Sequence, residues 1–161
     1  MNGIEVKTLV VEIRPLVEED ALTSVNWRND PSIWEYTEFR PNKHILLEDE
    51  LEWIKKAIED KHSHRFAIVA DQTYVGNIYL TDIENNSAEY HIFIGNHNFA
   101  GRGVAYEASK KLIGFAKNSL GLTKIYLNVR TEHKRAIALY EKLGFTNLET
   151  KNDFFQMYLD L

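Results

Sequence analysis

Cysteine is absent from this 161-residue chain, so a disulfide framework, a thiolate metal site and a cysteine nucleophile are excluded by inventory. Proline occurs only three times, and no low-complexity tract or repeat suggests disorder. Long apolar runs are missing as well. No stretch approaches the roughly 18 apolar residues of a membrane span, and the opening MNGIEVKTLVVEIRP has no charged leader followed by an apolar segment. A cytoplasmic location with no membrane partner is the resulting expectation. Positive charge is in deficit: the formal net charge is −5, which argues against extended contact with nucleic-acid phosphates but allows a local basic patch to hold a small anion. What remains is 44% hydrophobic and 27% charged, an ordinary globular profile of a length that suits one domain over residues 1–161.

Periodicity supplies the elements. Val10 to Val17 alternates as a first strand with Pro15 near its exit, and Glu18 to Trp27 reads as a short helix stopped by Asn29-Asp30-Pro31. Ser32 to His44 is irregular and aromatic. Leu47, Leu51, Ile54 and Ile58 mark one face of a second helix, with acidic residues in its first turn. Arg65 to Ala70, Tyr74 to Thr81 and Ala88 to Ile94 read as a strand meander, the first turn at Asp71 and Gln72 and the second in ENNS. A long helix from Val104, a strand from Lys124 to Val129, a helix through Ala136, Leu139, Tyr140 and Leu143, and strands near Phe145 to Glu149 and Phe154 to Leu159 complete the order βααβββαβαββ. That order predicts an α/β (α+β) fold, a mixed, mostly antiparallel sheet of about seven strands flanked by about four helices.

The segment Asn98-Phe99-Ala100-Gly101-Arg102-Gly103-Val104 lies between a strand and a helix start. Unpartnered N–H groups and the helix dipole make such a start a natural anion site, and glycine lets the backbone approach it. Taken alone, the two glycines read first as a tight strand-to-helix turn. G-x-G-x-x-G is excluded because Tyr106 stands at the third position, and no GxxxxGK[ST] loop is present.

Two motifs together carry a resemblance. The loop resembles the Q/R-x-x-G-x-G/A loop of the GNAT superfamily of N-acetyltransferases, with Asn98 where glutamine or arginine is usual. Arg135 to Phe145, RAIALYEKLGF, is similar to the family's AxxLYxKLGF signature. The resemblance implies acetyl-CoA as cosubstrate, held by Asn98, Gly101, Arg102, Gly103 and Val104, by backbone donors at Phe93, Ile94 and Gly95 where two parallel strands splay, and by His133, where many relatives have asparagine. It also implies Tyr140 as general acid toward the leaving thiolate; by pattern alone Tyr140 is equally a core residue of its helix.

For the amine, Glu89 is the best-placed candidate base, sharing a strand face with His91 and Phe93, and it is equally readable as a solvated strand residue. His91 is a weaker alternative. His62 and His64, in a polar DKHSHR context, read as solvent-facing, and no metal is expected.

The acceptor is sought in the segment before the second helix. Trp27-Arg28-Asn29-Asp30-Pro31 and the ending DFFQMYLDL resemble a GNAT subgroup acting on amino-sugar nucleotides. Arg28 and Arg40 are suited to phosphate, and Trp34, Tyr36 and Phe39 to stacking on a base or sugar. Polyamine and ribosomal-protein N-terminal acetyltransferases are similar in style, a polycation favouring the acids at Glu18 to Asp20, Glu35, Glu38 and Glu48 to Glu50. A domain that binds acyl-CoA without turnover is the alternative of another class. The expected partner is a small-molecule primary amine, not a nucleic acid, and a homodimer is an admissible assembly.

Overall fold

The computed structural model describes residues 9–35 and 43–161. The strands are β1 (Val11–Pro15), β2 (His64–Ala70), β3 (Thr73–Glu84), β4 (Ser87–Ile94), β5 (Lys124–Arg130), β6 (Thr146–Lys151) and β7 (Phe154–Asp160). The helices are α1 (Ala21–Arg28), α2 (Leu47–Glu59), α3 (Val104–Asn118) and α4 (Lys134–Leu143), with 3₁₀ turns at Glu18–Asp20, Pro31–Trp34 and His97–Phe99. The strands form one sheet in the order β1-β2-β3-β4-β5-β7-β6. Every neighbouring pair is antiparallel except β4 and β5. The predicted order and class hold. The edges moved by a residue or a few, most at β3, which runs on to Glu84, and at the first helix, whose opening turn is 3₁₀.

Local chemistry accounts for the connections. Two hairpins close without glycine: Asp71 and Gln72 have φ of 47° and 69°, and Asn85 and Asn86 have 51° and 63°, the left-handed pair that a two-residue turn needs. The Asp71 carboxylate accepts the N–H of Val10 at 2.9 Å, joining the turn to the start of β1. Pro15 ends β1 on the sheet's edge, where a missing N–H is tolerated. The 3₁₀ turn before α1 is held by Asp20, which takes two bonds from Arg14 at 2.9 and 2.8 Å and one from the Val17 N–H.

Helices cover both faces of the sheet. Ile78, Leu80, Tyr90, Ile125 and Leu127 form one buried cluster with Leu112 and Ala108 of α3. On the opposite face Leu16, Ala21, Ile54 and Ala67 form a smaller one, flanked by Trp53 and Tyr74. The strand alternation read for β4 is obeyed: Tyr90 hydrogen-bonds Ser109 of α3, whereas Phe93 meets Trp27 of α1 edge-on at 5.9 Å. His64 departs from expectation. It opens β2 half-buried with its ring edge-on to Phe115 at 5.3 Å, because the strand begins one residue earlier than its pattern suggested; His62 is exposed.

Gly95 follows β4 directly beneath the Trp27 indole, and a Cβ there would overlap the ring. Gly95→Ala is expected to destabilise the fold by about 1–3 kcal/mol through overpacking. The expected readout is a lower denaturant midpoint at unchanged slope; a wild-type midpoint would show that Trp27 is not seated on Gly95.

Candidate active site

The parallel pairing of β4 and β5 is brief. Ser87, Ala88 and Glu89 register with Lys124, Ile125 and Tyr126, and there it stops. Beyond that point β4 stays with β3 as far as Ile94, while β5 stays with β7 as far as Arg130. The strands part like a fork, and a cleft of about 1070 Å³ opens between them, floored by Tyr90 and Leu127 and walled by α1, α3 and α4. At the crotch, the Asn128 side-chain amide donates to Glu89 at 3.0 Å, a side-chain bridge just past the last backbone pair.

The divergence frees backbone donors. The Phe93 carbonyl is turned toward β3, where it would collide with any Cβ on Gly76. In a trans peptide the carbonyl and the following N–H point opposite ways, and no peptide here is cis. The Ile94 N–H therefore points into the fork. Gly95 is differently employed: its N–H donates to the Val75 carbonyl at 2.8 Å and its Cα supports Trp27, so it does not line the cleft as a donor.

The glycine loop leads into α3 as expected. Gly101 and Gly103 have φ of 71° and 80°, and Gly103 is the N-cap of α3. Only glycine adopts such angles at little cost, and a Cβ on Gly103 would stand in open space. What that position keeps clear is the approach to the helix end rather than a protein neighbour. Gly101, Gly103 and Val104 line the cleft, but Asn98 and Arg102 do not. Arg102 lies over Phe99, 5.2 Å from the ring centroid, and donates to the Asn98 carbonyl at 3.4 Å.

The basic group of the cleft comes from the other side. Arg135 of α4 reaches across to Gly101, its Nη2 3.3 Å from where a Cβ would stand, and Arg130 and Lys134 line the same end. Sequence reasoning passed over these residues. The available signal was their place: Lys134 and Arg135 sit in the first turn of α4, where the dipole disfavours positive charge unless an anion is shared. His133, the N-cap of α4, also lines the cleft. Burial, seconded by the Arg135 charge and opposed by Glu35, lowers its pKa and favours neutral imidazole.

Tyr140 projects from α4 with its ring edge-on to Tyr90 at 5.8 Å, and it lines the cleft. The ring thus packs against the core residue Tyr90 while the residue also borders the cleft. No hydrogen-bond partner for the Tyr140 hydroxyl is found among the described residues, and burial pushes the phenol up to about 12. It stays protonated throughout the neutral range.

Across the fork stands an aromatic and cationic wall. Trp34 donates from Nε1 to the Arg28 carbonyl at 2.9 Å, and the Arg28 guanidinium lies between Trp34 and Trp53, 5.3 and 4.8 Å from the ring centroids. Arg65 lies between Trp53 and Tyr79 at 5.3 and 4.5 Å, and Tyr79 stacks on His91 at 4.9 Å with an interplanar angle of 19°. Arg28 is 3.7 Å from Glu50, a carboxylate only 1% exposed, and burial raises the pKa of Glu50 against that cation. Trp27, Arg28, Trp34, Tyr79 and His91 line the cleft, as does Glu35. Tyr36, Phe39, Glu38 and Arg40 lie outside the described residues.

Asn29 pins this wall to the next element. Its amide donates to the carbonyls of Val25 and Ile45 at 3.0 and 2.9 Å, and its oxygen accepts the Ile45 N–H at 2.7 Å. Asp30 caps the following turn through the Ser32 N–H. Ser32, His97 and Asp30 superficially suggest a nucleophile triad. Both Asp30 and Ser32 meet the same His97 nitrogen, Nε2, at 2.6 and 3.2 Å, so the group is a clasp between two loops and not a relay through the ring.

Glu89 is on the expected face but behind the wall. Its oxygens are occupied by Asn128 and by His91 Nε2 at 3.3 Å, and it does not line the cleft. The His91 hydrogen bond, with a smaller contribution from Asn128, lowers its carboxyl pKa against burial. Among the described residues no group of three or more His, Cys, Asp or Glu side chains could hold a metal, and no helix is long and apolar enough to cross a membrane.

The chain is similar to known proteins. Spermidine N(1)-acetyltransferase of Escherichia coli K12 is 31% identical over 148 residues, covering 90% of this chain and 78% of the relative. Acetyltransferase PseH of Campylobacter jejuni is 26% identical over 133 residues, covering 83% and 81%. In structure, spermidine N-acetyltransferase from Vibrio cholerae, solved with CoA and spermine, superposes with a TM-score of 0.83 at 27% identity over 93% of this chain and 95% of that one. The profile described as an acetyltransferase (GNAT) domain matches residues 11–146, and the chain belongs to the GNAT family of acetyltransferases.

Proposed function

We propose that the chain transfers the acetyl group of acetyl-CoA to the primary amine of a small molecule bearing an anionic group, of which an amino-sugar nucleotide is the leading case. The fork carries the reading of the reaction: it combines a free strand edge, a helix N-terminus bordered by Arg135, and Tyr140 in one cleft. The Gly101–Val104 turn and Arg135 hold the pyrophosphate, and the pantetheine arm lies along the open edge of β4. The Ile94 N–H donates to the thioester carbonyl, a fixed dipole that gains strength as the oxygen becomes negative. Glu89 supplies a carboxylate behind His91 on the amine side, bound to Asn128 and to His91 Nε2.

Tyr140 donates to the departing sulfur. A free thiol has a pKa of about 8.5 and burial holds Tyr140 near 12, so full proton transfer to a thiolate is uphill. The phenol acts first as a hydrogen-bond donor to developing charge, the proton being completed from solvent.

The wall favours an anion-bearing acceptor. Arg28 lines the cleft with its Nε buried and without a hydrogen-bond partner, and Trp34 stands beside it. Of the acids that a polycation would seek, Asp20 is buried against Arg14 and Glu50 against Arg28, whereas Glu18, Glu19, Glu48 and Asp49 are exposed. Polyamine acetylation is the second reading, favoured by the spermidine acetyltransferases among the relatives and by Glu35 at the cleft. A cytoplasmic location and self-association, a homodimer at the least, are proposed with this function; the Vibrio relative is described as dodecameric.

Gly103→Val is expected to weaken CoA binding at least tenfold by calorimetry and to cost about 1–2 kcal/mol of stability from its positive φ. Unchanged CoA affinity in the folded variant would remove the loop from the site. Tyr140→Phe is expected to lower kcat about 10²-fold with CoA affinity retained. Because the phenol ionises only near 12, its loss of a proton imposes no alkaline fall in kcat up to about pH 10; a limb near 9 that vanishes in Tyr140→Phe would contradict this role. Thiol release from acetyl-CoA, measured against UDP-linked amino sugars, spermidine and N-terminal peptides, identifies the acceptor. Turnover of spermidine with none of any amino-sugar nucleotide would overturn the anionic acceptor and leave the acetyl transfer intact.

A further inference from the structure

We propose that His91, and not Glu89, receives the proton of the attacking amine, Glu89 being a positioning residue that acts through it. The inference deepens the acetyl-transfer reading above and rests on it. His91 lines the cleft whereas Glu89 does not. Nε2 of His91 lies 3.3 Å from Glu89 Oε2 and 2.9 Å from Thr81 Oγ1, so that nitrogen faces the sheet and carries the ring's N–H. The other nitrogen, Nδ1, has no hydrogen-bond partner among the described residues and keeps its lone pair.

The surroundings fix the ring in this sense. Tyr79 of β3 stacks flat against it, and Arg65 of β2 lies on the far side of Tyr79. Thr81 of β3 and Glu89 of β4 hold Nε2, and Asn128 of β5 holds the other oxygen of Glu89. The charged groups facing the ring are the Glu89 carboxylate in contact and, beyond Tyr79, the guanidinium groups of Arg65 and Arg28. The carboxylate orients the imidazole and stabilises the imidazolium once formed, the division of labour of a base and its orienting acid.

The step balances as follows. The amine nitrogen forms a bond to the thioester carbonyl carbon, and its surplus proton passes to His91 Nδ1. The C–S bond breaks, and the sulfur leaves as a thiolate stabilised by the Tyr140 hydroxyl and then protonated from solvent. The imidazolium returns its proton to solvent, and the products are the N-acetylated amine and CoA.

Two measurements test the assignment. On the unaltered protein, ¹⁵N shifts of His91 read the tautomer without any acceptor: protonation at Nε2 is expected, and protonation at Nδ1 overturns the proposal. Thiol release across pH, with spermidine or the UDP-linked amino sugar that is turned over, is then compared in His91→Gln and Glu89→Gln. His91→Gln is expected to lower kcat/KM about 10²-fold and to abolish the acid limb with CoA affinity unchanged. Glu89→Gln is expected to keep that limb, with a smaller loss. An intact limb in His91→Gln, or its loss in Glu89→Gln alone, returns the base role to Glu89. If no amine in the panel releases thiol, the acceptor reading fails on its own and the tautomer still decides the orientation of His91.

Discussion

A parallel strand pair that stops after three residue pairs is the constraint on which the rest of this molecule depends. β4 and β5 are each committed to an antiparallel neighbour on the other side, β3 and β7, along almost their whole lengths. Neither can follow the other without abandoning those ladders. The sheet resolves the conflict by opening, and unpaired strand edge that would be costly when buried is left facing a cleft. The hydrogen bond from Asn128 to Glu89 closes the ladder at the crotch with side chains.

Each half of the site is placed by one side of this opening. The α3 and α4 side brings two helix N-termini, the left-handed glycines and Arg135 together, a concentration of positive potential that the overall net charge of −5 conceals. The α1 and α2 side presents alternating arginine and aromatic side chains that end at His91. Stacking of this kind holds guanidinium groups in place with few hydrogen bonds, consistent with the buried Nε atoms of Arg28 and Arg65 that have no hydrogen-bond partner. Rigid ring faces, with the buried Arg28–Glu50 pair, set the shape of that wall.

Much of this was legible in the sequence because the signals are local. Hairpin turns, helix stripes, the strand alternation of β4 and the two glycines each follow from a few neighbouring residues. The misplacements share another cause. Asn98 and Arg102 belong to the glycine loop by position, yet Arg102 packs on Phe99 within the loop itself; Gly95 ends β4, yet Trp27 from a distant helix determines what it can do. Glu89 has the right face of the right strand, but the fork begins just beyond it, so His91 is the next side chain to reach the opening. Where the parallel pair stops is decided by long-range pairing, and no local pattern reports it. Arg135 had a local signal in its place in the first turn of α4, but its contact joins that turn to Gly101 in the loop before α3, 34 residues earlier (135 − 101).

Asn29 has a consequence for how such a protein can change. One side chain ties the end of α1 to Ile45, just ahead of α2, so the intervening stretch is closed at its base independently of its own sequence. The entropic cost of a closed loop grows only slowly with its length, and surface loops tolerate variation that packed elements do not. The clamp thus fixes the spacing between the end of α1 and the start of α2, whatever residues stand between its two anchors.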